Sequence, residues 1–358
     1  MFFNRPTFLI FAPPIILLKM RILLYLILTS FFVSCGQDAA NRILFKNNLE
    51  EYESRKLHFG DPINITVEGE DHDSIQVFLN GATIGKGSKL SDDNSHFGIN
   101  LLKLIIYHSG SEKMEREVSM MVLPKEAPLK KEYKVVIRYP HDAANFTQGF
   151  HFEDGLIYEG TGLRGSSKIE VYDLATGKVE RIQKLEDRYF GEGITKVGDS
   201  IFQITYTSQK AFVYKAQTLE RKHEFNYPFS GEGWGLCFSG EYLIMSNGSH
   251  LLYFINPKDF SLQHTIQVVD NSGVRNRLNE LEFHDGKIYA NVWYENALLE
   301  IDPANGGVTA VIQLPEIPVG MTRENVANGI AFKGENILVT GKNWPTIYEL
   351  KMVQPVNL

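Results

Sequence analysis

Residues 149–162 read Gly149-Phe150-His151-Phe152-Glu153-Asp154-Gly155-Leu156-Ile157-Tyr158-Glu159-Gly160-Thr161-Gly162. This is an apolar strand, an Asp-Gly turn and a second strand rich in apolar and aromatic residues, the pattern of a tight antiparallel hairpin. The pattern recurs at intervals of about 45 residues. Further first strands are Gly193-Ile194-Thr195-Lys196, Gly235-Leu236-Cys237-Phe238, Glu280-Leu281-Glu282-Phe283 and Gly329-Ile330-Ala331-Phe332, with turns at Gly198-Asp199, Gly240-Glu241, Asp285-Gly286 and Gly334-Glu335. A third strand in each unit ends in a turn such as Asp173-Leu174-Ala175-Thr176-Gly177-Lys178 or Asp302-Pro303-Ala304-Asn305-Gly306-Gly307. Five helix-free units close most economically into a five-bladed β-propeller, which leaves few exposed edges, and residues 133–138 supply an outer strand that closes the ring with the last unit. A plain barrel or sandwich accounts less well for so regular a period.

The repeat also places chemistry. In a propeller the first strand of each unit lines the channel, and the second strand returns to the same face. In register, the residues before the first strands are Gln148, Glu192, Trp234, Asn279 and Asn328, and those ending the second strands are Gly162, Tyr206, Gly248, Trp293 and Lys342. Repeats selected only for packing carry similar residues at equivalent positions. Here a carboxylate, amides, an ammonium and aromatic rings converge on one mouth, which marks a site. The ten His show no metal-ligand spacing, no nucleophile elbow occurs, and Gly160-Thr161-Gly162 lacks the following helix that phosphate binding needs.

Upstream, residues 40–125 hold short alternating runs, Ile63-Asn64-Ile65-Thr66-Val67, Ile75-Gln76-Val77-Phe78-Leu79 and Val118-Ser119-Met120-Met121-Val122, that predict a small Ig-like β-sandwich. The charged, Pro-bearing segment 126–132 reads as a linker to a catalytic domain over 133–358. Residues 1–36 resemble a secretory signal: after Arg21 comes an apolar run ending in Phe32-Val33-Ser34-Cys35, which is lipobox-like and makes Cys35 a lipidation site. An uncleaved anchor helix is the alternative, and both readings place the chain outside the cytoplasm, as a bacterial cell-envelope lipoprotein, periplasmic or surface, touching the membrane only through its anchor. With 43% hydrophobic residues the chain buries a sizeable core, and its net charge of -7 argues against nucleic acid. Two Cys exclude a disulfide framework, and Cys237 reads as a small core residue.

Asn145-Phe146-Thr147-Gln148-Gly149, Tyr158-Glu159-Gly160-Thr161-Gly162, Phe190-Gly191-Glu192-Gly193, Gly231-Glu232-Gly233-Trp234-Gly235, Leu278-Asn279-Glu280-Leu281-Glu282, Asn291-Val292-Trp293, Asn328-Gly329-Ile330-Ala331 and Thr340-Gly341-Lys342 together resemble the plant-type glutaminyl-peptide cyclotransferases, or glutamine cyclotransferases. The resemblance covers roughly residues 133–352. It implies a five-bladed propeller that converts the N-terminal glutamine of peptides or proteins to pyroglutamate with loss of ammonia, without catalytic zinc or any other required cofactor. It further implies Glu192 as the acid/base carboxylate, with Phe146, Gln148, Phe190, Trp234, Asn279, Trp293 and Lys342 as the other site positions. A structural calcium near the axis is implied too, although the sequence shows no carboxylate-rich calcium loop. Ile204-Thr205-Tyr206 stands where the family commonly has Leu-Thr-Trp, so Tyr206 keeps an aromatic wall but adds a hydroxyl.

These residue types suit the reaction. An α-amine is largely protonated at neutral pH, and an amide nitrogen leaves poorly without a proton, so one carboxylate can shuttle a proton between them. Gln148, Asn279 and Lys342 are candidate donors for the developing oxyanion, and Lys342 could instead hold a peptide carbonyl or keep Glu192 ionised. The aromatic residues, with Asn328, hold the bent substrate. A non-catalytic propeller binding a peptide or glycan at the cell surface is the alternative, and a calcium-dependent hydrolase, which needs several axial carboxylates, ranks below it.

Overall fold

The computed structural model describes residues 45–69, 72–108, 112–315 and 325–353. The signal segment and Cys35 lie outside them. The fold is all-β, and among the described residues a single four-residue helix, Glu51–Ser54, interrupts the strands. A small separate unit pairs Lys46–Asn47 with Val67–Glu68. The larger unit holds Asn48–Thr66 and the described residues from His72 onward.

Each repeat of the sequence is a four-stranded antiparallel sheet. The first runs from inner strand Thr147–Glu153 through Leu156–Thr161 and Lys168–Asp173 to outer strand Val179–Lys184. Two more, beginning at Gly191–Val197 and Leu236–Phe238, repeat this order. A fourth set begins at Leu278–His284 and ends at Val308–Gln313. The last set, Ala327–Lys333, Asn336–Gly341 and Thr346–Met352, is completed by Leu129–Pro140 from upstream, antiparallel to Thr346–Met352. The five inner strands pack as a cycle, each beside the next and the last beside the first. Middle strands are buried on both faces, because neighbouring sheets cover them. Ile157, Phe150, Ala331, Leu338 and Ile347 pack in one cluster between last and first sheets, and Ile169, Val171, Ile201 and Phe212 in another between first and second. Each such aliphatic side chain contributes about 1.5–3 kcal/mol on burial.

Two expectations need correction. The linker is only partly a linker: Leu129–Glu132 already belongs to a strand and pairs in parallel with Ala310–Gln313. Apart from the short Lys46–Asn47/Val67–Glu68 pair, the described upstream strands form one five-stranded sheet rather than a sandwich: Lys56–Leu57, Glu112–Val122, Gly98–His108, His72–Leu79 and Ala82–Ile84, in that order. Two of its strands are 11 residues long, so few strands carry the alternation. Ile63 to Thr66 alternate in burial without forming a strand. Side chains take up their backbone: Tyr52 Oη accepts from the Asn64 N–H at 2.9 Å, Asn48 Oδ1 accepts from the Thr66 N–H at 2.9 Å, and Asn48 Nδ2 donates to the Asn64 carbonyl. This sheet is tied to the third repeat by Gln267, whose amide accepts from the Ile99 N–H at 2.8 Å and donates to the Ile99 carbonyl at 2.9 Å, as a neighbouring strand would.

Candidate active site

Gln148, Glu192, Asn279 and Asn328 sit on β-bulges at the start of their inner strands and not before them as the repeat register suggests, whereas Trp234 does precede its strand, Leu236–Phe238. In the second sheet Gly191 faces Thr205 but Ile194 faces Gln203, so one extra residue is accommodated around Glu192. The same shift falls at Asn279 (Leu278 to Leu281), at Asn328 (Ala327 to Ile330) and opposite Gly160/Thr161 at Gln148. A bulge frees a residue from the alternation and re-aims its side chain, here along the axis. The inner strands approach so closely there that a Cβ on Gly193 would lie 2.5 Å from the Leu236 nitrogen. That position is therefore glycine.

Phe146, Gln148, Phe190, Glu192, Tyr206, Trp234, Asn279, Trp293 and Lys342 line one cavity of about 170 Å³. That is close to the ~150 Å³ that accommodates a benzene, so it admits one side chain. Its walls are aromatic pairs: Phe146 edge-on to Phe190 at 6.2 Å, Phe190 against Tyr206 at 5.6 Å, and Trp234 perpendicular to Trp293 at 5.5 Å. Asn328, expected to bind substrate, instead stands behind the wall: its Nδ2 donates to Gln148 Oε1 and to the Thr147 carbonyl, both at 2.9 Å. With Oε1 so occupied, Gln148 is left with its N–H2 group to offer. Gly162 and Gly248 also leave the lining, for a packing reason: a Cβ at either would strike the Phe190 or Trp234 ring.

The polar members are tuned by dryness. Burial pushes the Glu192 carboxyl well above the usual carboxylate range; Lys342 pulls it back, and the charge of Glu232 adds to the rise. Burial lowers Lys342, and Glu192 opposes that. The Lys342 ammonium lies 4.8 Å from the centroid of the Phe146 ring. Asn279 Oδ1 is buried without a hydrogen-bond partner, a state that typically costs about 1–3 kcal/mol and is relieved when a donor enters.

Sequence reasoning did not single out three groups. Glu232 bonds the Trp234 indole, its Oε2 accepting from Nε1 at 2.9 Å. His141 and Glu159, both fully buried, pair at 3.1 Å where the ring closes. Glu280 takes the place that glycine holds in the other repeats, and its carboxyl oxygens accept the Phe150 and Ile330 N–H groups. Among the described residues no group of three His, Cys, Asp or Glu could hold a metal ion.

A sequence model of the glutamine cyclotransferase family matches residues 104–352. A glutaminyl-peptide cyclotransferase of Arabidopsis thaliana is 34% identical over 231 residues, which span 62% of this chain and 72% of that protein. The crystal structure of Myxococcus xanthus glutaminyl cyclase superposes with a TM-score of 0.57 at 32% identity, covering 63% of this chain and 98% of that one.

Proposed function

The chain belongs to the glutamine cyclotransferase family, and from that premise we propose how its own residues close an N-terminal glutamine into pyroglutamate with release of ammonia. The fold is read as a five-bladed propeller, supported by the cyclic packing of the inner strands. The observation that carries the mechanism is the meeting of Glu192, Lys342, Gln148 and Asn279 in one dry, aromatic-walled cavity.

The glutaminyl residue enters this cavity bent, its side-chain amide carbon held near its own α-nitrogen by the rings of Phe146, Phe190, Trp234 and Trp293. Holding both reactive groups of one residue together supplies much of the rate, because the attack is already intramolecular. Asn279 Oδ1 accepts from the substrate α-ammonium. Glu192 takes one proton from it, the freed amine bonds the amide carbon, and the same proton passes to the departing nitrogen as its carbon–nitrogen bond breaks and ammonia forms. The ring nitrogen then gives its surplus proton to the Glu192 carboxylate, which releases it to the ammonia. A carboxyl raised by burial is matched to both transfers, since it neither binds the proton too weakly nor keeps it. Gln148 and Lys342 donate to the oxygen that gains charge meanwhile. No cofactor enters this scheme, and turnover in EDTA should equal that without it.

Gln-initiated dipeptides, followed by ammonia release and the mass loss of ring closure, test the proposal. Turnover by the wild-type chain and its loss in folded Glu192→Gln are expected; wild-type rates in that variant would remove the shuttle. Cys35 is proposed as a lipid anchor at the bacterial cell envelope, supported by the signal-like residues before it. Membrane-fraction recovery that survives Cys35→Ser would overturn that anchor. Proteins or peptides with N-terminal glutamine are the proposed partners, and a net charge of -7 disfavours nucleic acid.

A further inference from the structure

Glu232 lies outside the cavity lining but acts on two members of its wall. Its carboxylate accepts from the Trp234 indole N–H at 2.9 Å; burial raises the pKa of the Tyr206 hydroxyl, and the Glu232 charge raises it further. These rings come from different repeats: Tyr206 follows the strand Ser200–Thr205, and Trp234 precedes Leu236–Phe238. Backbone reinforces the junction, because the Gly233 N–H donates to the Tyr206 carbonyl at 2.9 Å. Gly233 itself is packed against Met245, whose Cε would lie 2.6 Å from an added Cβ, and against the Tyr227 ring. Glu232 therefore stands on a backbone with little room to shift.

We infer that Glu232 is a positioning residue for the cyclisation, which holds the Trp234 ring against the Tyr206 segment at one glutamine-binding wall. The inference rests on the proposed role of Glu192. The groups that act on Glu192 are Lys342 from the last repeat and Glu232 from the third; Tyr206 and Tyr227 in turn feel its charge. Burial raises the Glu192 carboxyl most; Lys342 favours the ionised carboxylate and Glu232 the protonated one, so their opposition trims the working pH of the shuttle.

Two substitutions separate the hold on the ring from the charge. Glu232→Gln keeps an oxygen for the indole but removes the charge, so the acid limb of kcat/KM should move to lower pH by about half a unit or more. Glu232→Ala loses the hold on the indole as well, so KM for a Gln-initiated dipeptide should rise about tenfold. A merely structural role would leave the limb where it is and lower thermal stability instead. An unmoved acid limb in Glu232→Gln, or an unchanged KM in Glu232→Ala, overturns the inference. Turnover by the wild-type chain is measured first, so failure of the cyclotransferase reading would be seen separately, before any variant is compared.

Discussion

At the residue scale, the proposed mechanism rests on a carboxyl and an ammonium that are both buried, 4% and 6% exposed. Removing the carboxyl while keeping its shape should remove the proton transfer and little else. Glu192→Gln is expected to lower kcat by about 10²–10⁴-fold, with near-wild-type binding of a non-cyclising peptide by calorimetry. Lys342 works the other way on the same proton. Because its charge pulls the Glu192 carboxyl down, Lys342→Met should move the acid limb of the residual kcat/KM to higher pH, opposite to Glu232→Gln. Rates of ammonia release from pH 4 to 9 distinguish the two. The sequence made most of these residues legible, since repeat register separates a position that varies from a scaffold that recurs. It did not separate Asn328 from the lining, because only coordinates show that its amide turns toward Gln148.

At the element scale, the ring closes through a strand taken from upstream, and a buried ion pair sits at that seam. His141 follows the strand Leu129–Pro140 and Glu159 lies in Leu156–Thr161. Burial alone would push the imidazole down, but the Glu159 carboxylate carries it above its ordinary value. Burial would push Glu159 up, but His141, Thr147 and Tyr172 hold it below the ordinary value. The raised His contributes stability that is present below its unfolded pKa near 6.5 and fades as pH rises through the folded value. The lowered Glu contributes stability that is present above its unfolded pKa near 4.3 and fades as pH falls through the folded value. The pair therefore favours folding most between those two limits. His141→Ala leaves a buried carboxylate unpaired and should cost about 3–5 kcal/mol, read by urea denaturation, with the largest difference from wild type near pH 5.5. Such pairs leave little trace in sequence: His141 and Glu159 are 18 residues apart, one just past a strand and the other within the next but one. The outer strands were similarly hard to read, since Val179–Lys184 and Arg221–Asn226 are mostly exposed and lack strand alternation.

At the scale of the whole molecule, the upstream sheet and the ring are joined by Gln267 and by the chain itself, yet among the described residues none before Phe146 lines the cavity. The Myxococcus xanthus enzyme is covered over 98% of its length by 63% of this chain, so roughly a third of this chain has no counterpart there. The repeated hairpins made the ring legible because each unit states the same pattern, whereas the upstream sheet has one long hairpin and stretches whose backbone is held by side chains. The structure also shifts the division between the two parts. A chain beginning at 141 would lack Leu129–Pro140 and expose the edges of both Thr346–Met352 and Val308–Gln313, which that strand bridges; an unpaired edge of this kind invites aggregation. A chain beginning near 125 keeps the strand and loses only the upstream sheet. The shorter chain should be recovered insoluble or without turnover, and the longer one should melt cooperatively and release ammonia at a kcat within about twofold of the full chain, as expected when the removed part touches no reacting group. Loss of turnover in the longer chain, with its melting transition intact, would show that the upstream sheet shapes the cavity from a distance.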